Sequence, residues 1–355
     1  MASSGVFQNY YETQLSESSS DISWIGGLQV FCLLVVSTLS GRATHAGLAR
    51  PVVLAGSILI LLGTFVISLA SQYWQIFLAQ GLCIGLGQGL IWLPSVTVIS
   101  TYFARNRVFA VTAAATGTST GGMVFPAMIQ YLTPQIAKWT GFPWAVRCMG
   151  FLALIMAIII NLLLRTRLPP RRSGPLVEWA AFKEPSYMLF TFGIFLLLLD
   201  ALFRFFLSLT HTDPSTAGVN LVIVINAAGI PIRAPGGYLA DRYTGPLNRL
   251  IPWVAICGVL MYCWIGVHTV AGLYLFAGRF PSLTKDMSKI GTRVGMVLAL
   301  MSVGPLTGPS VAGALISRTG GRYLAAQVWA GSAFACGCGG LGGRESVCSW
   351  LEVDV

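Results

Sequence analysis

The chain has 355 residues, of which 55% are apolar and 10% are charged, and its mean hydropathy is +0.74. A soluble domain carries about 25% charged residues, so this composition excludes a water-soluble globule and predicts an all-α polytopic membrane protein, whose lipid-facing surface needs no charge. The net charge of +10 would suggest a nucleic-acid partner in a soluble protein. Here the basic residues lie in short loops, so we expect the lipid bilayer as the partner and no nucleic acid.

Ten apolar stretches are long enough to cross ~30 Å of hydrocarbon, which takes about 20 residues. In chain order they are Ile22–Ser40, Pro51–Ser71, Trp74–Ser100, Val108–Thr133, Trp144–Leu164, Ser186–Leu207, Ala217–Pro235, Leu250–Thr269, Val294–Ser317 and Tyr323–Leu341. A further apolar stretch, Val270–Pro281, is too short to span and is either a fragment of another span or a re-entrant piece.

The basic residues of the loops fall almost entirely on one side when the connections are numbered alternately. That side holds Arg42, Arg50, Arg105, Arg107, Arg165, Arg167, Arg171, Arg172, Lys183, Arg242, Arg249, Lys285, Lys289 and Arg293. The loops of the other side hold only Lys138, Arg318 and Arg322. The positive-inside rule makes the first side cytoplasmic. The acidic N-terminus, which lacks the basic start of a signal peptide, then lies outside.

The segment Arg165–Pro185 is rich in arginine and proline and divides the spans five and five. It is interpreted as a cytoplasmic linker that fixes the topology, and its arginines are also able to contact anionic headgroups. The expected organisation is a first half-bundle over 1–164, the linker over 165–185, a second half-bundle over 186–341 and a tail over 342–355.

The most specific string is GGYLADRYTGPLN, which follows a span on the basic side. Its skeleton is Gly237, Asp241, Arg242 and Gly245. An aspartate at a helix end accepts hydrogen bonds from the N-terminal amides of the next helix, so the string is predicted to clasp two helices in one conformation and release them in another. The alternative is an ordinary polar turn.

The two halves resemble a degenerate repeat. The string GRATHAGLAR places Gly41 and His45 where the second half has glycine and aspartate. The strings GTSTGGMVFP and GPLTGPSVAG, which begin at Gly117 and Gly304, correspond in the same way. Internal repeats of this kind are typical of secondary transporters.

These strings, with GVFQNYY, ISWIGGLQ, QYWQIFLAQGLCIGLGQG, YFARNR, GFPWAVR and GTRVGM, resemble the monocarboxylate-transporter-like branch of the major facilitator superfamily found in fungi. The resemblance covers most of residues 5 to 330. It implies a two-half bundle of twelve helices, of which about ten or eleven are present, with alternating access around a central cavity and proton coupling in many members. Phe77 stands where the drug:proton antiporter branch carries an arginine, which argues against that branch.

The resemblance predicts a secondary transporter of small organic acids or related metabolites, a symporter that acts as a monomer, in the plasma membrane or the vacuolar membrane. The chain departs from the family at the start, where the first helix is incomplete, at a shortened tenth helix and in the tail from Cys336. The alternative is therefore a truncated, non-transporting product of such a gene.

Ionisable residues inside spans are expected to face a cavity or a partner. Asp200 and Arg204 are spaced to pair on one helix face, where a solute carboxylate or a proton would compete for the pair, unless the pair only neutralises itself. The resemblance implies that Arg233 binds the substrate anion, and snorkelling to the interface is the alternative. The usual aspartate four residues earlier is replaced by Gly229. Asn226 either lines the cavity or hydrogen-bonds between helices, and the second is favoured.

Glycines at four-residue intervals predict close helix packing. They are Gly81, Gly85, Gly89, Gly117, Gly121, Gly304 and Gly308. The eight cysteines are interpreted as apolar fillers, and the three histidines are too widely spread to bind a metal. We expect no cofactor, and the absence of HExxH, a phosphate loop or a nucleophile with its base argues against an enzyme.

Overall fold

The computed structural model describes residues 19–103, 106–135 and 141–166, with Phe7, Tyr11 and the positions 220, 223, 224, 226, 227, 229–231, 235, 238 and 242. The long helices of this part are α1 (Ser19–His45), α2 (Ala49–Ile67), α3 (Tyr73–Tyr102), α4 (Arg107–Gln135) and α5 (Phe142–Leu163). Within α3, Phe77–Ile84 forms wider π-helical turns. A helix therefore occupies each of the five spans predicted for the first half, and four of these helices are long and apolar enough to cross a membrane. Those predicted for the second half, including the short stretch Val270–Pro281, lie outside the continuously described ranges.

Two predicted helix ends are displaced. α1 continues to His45 instead of stopping at Ser40, because a helix need not end where the hydrocarbon does and its polar last turns can extend beyond it. α2 ends at Ile67, four residues before the predicted Ser71, and the chain then turns through hydrogen bonds from the amides of residues 68–70 to the carbonyls of residues 65–67.

The outer surfaces of the helices suit a bilayer. Four of the described helices, α1, α2, α3 and α5, are long and apolar enough to cross one. At ~1.5 Å per residue, the 22 residues of α5 extend about 33 Å. Near the starts of α1, α3 and α5 lie the partly exposed Trp24, Trp74 and Trp144. Because alternate helices start on the same side, these rings mark one membrane interface, where tryptophan is enriched.

α3 is the central helix of the first half, since it packs against both α1 and α2. Glycine residues allow α3 to pack closely against both α1 and α2. A Cβ on Gly85 would lie 2.9 Å from the Gln29 carbonyl oxygen of α1, and one on Gly87 would lie 2.7 Å from the Gly56 carbonyl oxygen of α2. Helices in lipid associate through small residues of this kind, because contact between backbones replaces the missing hydrophobic drive.

Two serines of α1 fasten it to α3. The Ser40 hydroxyl donates to the carbonyl of Gly89 at 2.8 Å, and the Ser37 hydroxyl lies 3.3 Å from the same carbonyl. Gly89 precedes Leu90, whose carbonyl loses its helical partner because Pro94, buried inside α3, has no amide hydrogen. Side-chain donors near a proline supply part of the hydrogen bonding that lipid cannot.

We expect Ser40→Ala to lower the free energy of unfolding by about 0.6 kcal/mol, the average for a hydrogen bond between membrane helices. The shift is measurable as a lower midpoint of thermal aggregation for the purified chain. Thr44→Ala serves as the control, because the Thr44 hydroxyl donates to the carbonyl of Ser40 within its own helix at 2.8 Å. Equal midpoints for the two variants would show that the contact between α1 and α3 contributes nothing.

The link between α1 and α2 is a tight helix stop. The amide of Leu48 donates to the carbonyl of Ala43, and the amide of Gly47 donates to that of Thr44. Gly47 has φ of 87°, the left-handed conformation that glycine adopts without steric cost. This pair of bonds is the Schellman motif, and it reverses the chain so that α2 packs back along the bundle.

Candidate functional site

A cavity of about 140 Å³ lies where the five described helices meet. Its walls come from all five helices and from one residue that precedes them. The lining residues are Phe7, Gln29 of α1, Ile60, Thr64 and Ile67 of α2, Gln80, Ile84 and Gln88 of α3, Phe125 of α4, and Val146, Met149 and Ala153 of α5. Every one of these side chains is uncharged, and the three glutamines carry most of the polar atoms.

Two hydrogen bonds order these glutamines. The Tyr11 hydroxyl donates to Oε1 of Gln80 at 3.0 Å, a buried bond. Nε2 of Gln29 donates to Oε1 of Gln88 at 3.1 Å and thereby joins α1 to α3. Gln29 and Gln80 are only 4% and 5% exposed. Buried amides held in this way present fixed donors and acceptors to whatever enters.

Gln80 lies inside the π-helical segment of α3. Such segments are rare and frequently occur at functional sites, because the wider turns change which side chains face inward. On the same segment a Cβ at Gly81 would lie 3.0 Å from Leu28 of α1. The π-helical segment therefore contacts α1 through Gly81 and lines the cavity through Gln80.

Phe7, which lines the cavity, packs in a group of three aromatic rings. Phe7 meets Phe142 edge to face at 5.5 Å between ring centroids, and Tyr11 lies 6.3 Å from the same ring in a similar arrangement. These three rings belong to the main buried apolar cluster. The packing of these three rings thus holds the Tyr11 hydroxyl in place beside Gln80.

A second feature joins the first half to the second. A Cβ on Gly122 of α4 would lie 2.6 Å from Oδ1 and 2.8 Å from Cγ of Asn226. The Asn226 side chain therefore fills the notch that the glycine leaves. Asn226 thus contacts another helix, and its part in the solute pathway stays a prediction.

The two halves also meet near the start of α4. The ring of Phe109, near the start of α4, lies edge to face against Tyr238 at 6.4 Å between centroids. The Arg242 guanidinium lies 5.8 Å from the centre of the Tyr238 ring and donates to its hydroxyl. Arg242, predicted as part of a conformational motif, thus belongs to a stack between the halves.

The basic side of the first half is tied to the start of the linker. Nε of Arg50 donates to the carbonyl of Leu164 at 2.8 Å, and the Tyr102 hydroxyl donates to the carbonyl of Arg165 at 2.9 Å. The C-terminal carbonyls of α5 lack helical partners, so side-chain donors satisfy them. Three loops predicted to share one membrane face lie together in this way.

The remaining predicted residues fall into two groups. Outside the described residues lie Arg233, Asp200, Arg204, Gly237, Asp241, Gly245, Gly304 and Gly308. Among the described ones, Gly41 lies against Leu93 of α3, and His45 is the last residue of α1. Gly81, Gly85 and Gly89 all face α1, whereas a Cβ on Gly117 would meet no atom within 4 Å and one on Gly121 only the ring of Phe125.

The comparisons with known proteins decide the family. The sequence model described as Major Facilitator Superfamily matches residues 1–278. The chain belongs to this superfamily. The predicted major-facilitator fold is thereby confirmed, and the superfamily consists of membrane transporters that carry small solutes, not of enzymes.

Fungal transporters are among the most similar proteins. An MFS-type transporter of Gibberella zeae is 38% identical over 94% of this chain and 79% of its own length. The aspyridones efflux protein of Emericella nidulans is 32% identical over 94% and 71%. The E. coli fucose:proton symporter matches in fold, with a TM-score of 0.68 at 13% identity over 97% of this chain and 95% of that one.

Proposed function

We propose that this chain moves a small organic metabolite across a membrane by alternating access. The observation that carries the proposal is the cavity where all five described helices converge, because a mainly apolar cavity with a few oriented polar groups is the usual form of a site for a small molecule. The close glycine contacts around α3 and the contact of Gly122 with Asn226 support it, since helices packed on small residues are able to rock against one another.

Organic acids are the solutes that the sequence resemblance favours. The support is Arg233, whose guanidinium suits a carboxylate through two parallel hydrogen bonds, together with the pair Asp200 and Arg204. Proton-coupled symport belongs to the same hypothesis. The names of two relatives, efflux proteins for aspyridones and agnestins, support the outward direction instead, and the plasma membrane suits either direction.

We expect Arg233→Ala to reduce uptake of labelled lactate at least tenfold. A hydrogen bond to a charged group contributes about 1.5–3 kcal/mol, and the variant loses this contact with the carboxylate. The measurement is uptake into proteoliposomes at an acidic and at a neutral pH. Faster uptake at the acidic pH would support proton coupling.

The control is Arg165→Ala, which removes an exposed arginine at the start of the linker. It leaves uptake at the parental rate. If Arg233→Ala and Arg165→Ala transport lactate equally well, the assignment of a carboxylate to Arg233 is wrong, while transport itself is unaffected by that result.

A further inference from the structure

The glutamines of the cavity carry hydrogen-bonding atoms that the described protein leaves unused. Gln80 and Gln88 both accept through Oε1, so their Nε2 groups remain as donors. Gln29 donates through Nε2, so its Oε1 remains as an acceptor. Within the described part of the chain none of these three atoms has a hydrogen-bond partner, and none is among the fully buried unsatisfied atoms. Since the three residues line the cavity, it offers two amide NH2 groups and one carbonyl oxygen.

The size of the cavity limits what fits beside these groups. Its volume of about 140 Å³ is close to the ~150 Å³ of an engineered cavity in another protein that binds benzene. Apart from Thr64, the other described lining residues are apolar or aromatic, with Phe7, Ile84 and Phe125 among them. A single flat ring fits this space and these walls.

The described residues of the lining favour an uncharged group over an ion. The described lining contains no lysine, arginine, histidine, aspartate or glutamate. A carboxylate placed here would lose its hydration and gain only neutral donors, which compensate a buried charge poorly. A carbonyl beside an N–H or O–H group loses much less hydration and pairs with the free amide atoms directly.

We propose that this cavity binds an uncharged, ring-sized group that carries a carbonyl next to an N–H or O–H donor. Nε2 of Gln80 and of Gln88 donate to its carbonyl oxygens, and Oε1 of Gln29 accepts from its donor. The proposal rests on the proposed transport function and names the chemical class of the solute, or of the part of the solute, that the first half recognises. An organic acid meets it only through its uncharged portion.

The test compares uracil with orotate, which is the same ring with a carboxylate added. Binding of each labelled compound is measured on the full chain carrying Arg233→Ala in lipid nanodiscs, so that the carboxylate contact proposed for Arg233 does not enter the comparison. We expect uracil to bind and orotate to bind at least tenfold more weakly. We expect Gln80→Leu to weaken uracil binding about tenfold, the loss of one good hydrogen bond.

Gln130→Leu is the matched control. Gln130 lies on α4, is absent from the described lining, and its Oε1 has no hydrogen-bond partner in the described part of the chain. The same change of glutamine to leucine should therefore leave uracil binding unchanged. Gln88→Leu provides a second test if Gln80→Leu does not give a monodisperse protein.

Three outcomes separate the proposals. Uracil binding that depends on Gln80 supports the solute class, and it does so even if proteoliposomes show no exchange, which would overturn only the transport function. Orotate binding as tight as uracil overturns the solute class. Uracil binding that Gln80→Leu and Gln88→Leu leave intact also overturns it.

Discussion

Gly122→Leu is expected to reduce solute exchange in proteoliposomes at least tenfold while the chain still reaches the membrane. The reason is geometric, because even a Cβ at this position would lie 2.6 Å from Oδ1 of Asn226. A leucine forces α4 away from the second half or displaces the Asn226 side chain. Either change unbalances the rocking motion that the proposed alternating access requires, because the end states of such motions differ by only a few kcal/mol.

Two variants make this test specific. Gly117→Leu alters the same helix at a place where a Cβ meets no atom within 4 Å, and it should exchange solute at the parental rate. Combining Gly122→Leu with Asn226→Gly removes the obstructing side chain and should restore part of the exchange, since the two positions are coupled. Normal exchange by Gly122→Leu alone would remove this contact from the mechanism.

Gly85→Ala is expected to lower the stability of the chain, because the glycine lies against the backbone of α1. The new Cβ would lie 2.9 Å from the Gln29 carbonyl oxygen and 2.9 Å from the Cβ of Cys32, and neither atom belongs to a flexible side-chain end. α1 and α3 must separate, at a cost of about 1–3 kcal/mol for overpacking. The midpoint of thermal aggregation measures the loss.

Gly26→Ala is the matched control on α1. A Cβ there meets nothing within 4 Å, so the better helix propensity of alanine should stabilise the chain by up to about 1 kcal/mol. The two variants thus have opposite expected signs. A midpoint for Gly85→Ala at or above that of the parent would show that the helices pack less tightly than the geometry indicates.

The spans of the first half were predictable because the hydrocarbon imposes a length and a composition that hydropathy detects directly. The ends of these helices were less predictable than their positions. The helical turns from Gly41 to His45 are polar, so hydropathy stops before the helix does. The stop after α1 was predictable from Gly47, because a glycine between two apolar stretches is typical of a helix C-terminus.

The glutamines of the cavity were not predicted. Gln29, Gln80 and Gln88 lie in strings that support the family resemblance, but an uncharged polar residue in an apolar run has a small effect on hydropathy. Their pairing depends on how α1 and α3 rotate about their axes, which the glycine positions help to set and which one sequence read alone does not give. An inspection of all uncharged polar residues inside spans would have found them.

The contact partner of Asn226 was likewise not predictable from the sequence. The sequence indicated that a polar residue in a span has a partner, and left open whether that partner was a helix or a solute. Its position opposite Gly122 depends on the packing of two segments about a hundred residues apart in the chain. The role of Arg233 stays a prediction that the uptake experiment addresses.

Counterflow in proteoliposomes tests the central claim of alternating access most directly. Unlabelled solute is trapped inside, and entry of labelled uracil, orotate or lactate is followed against vesicles without trapped solute. A carrier returns faster when loaded, so we predict that trapped uracil accelerates the entry of labelled uracil. Entry rates that trapped solute does not change for any of the three compounds, and that equal those of protein-free vesicles, would contradict transport by this chain.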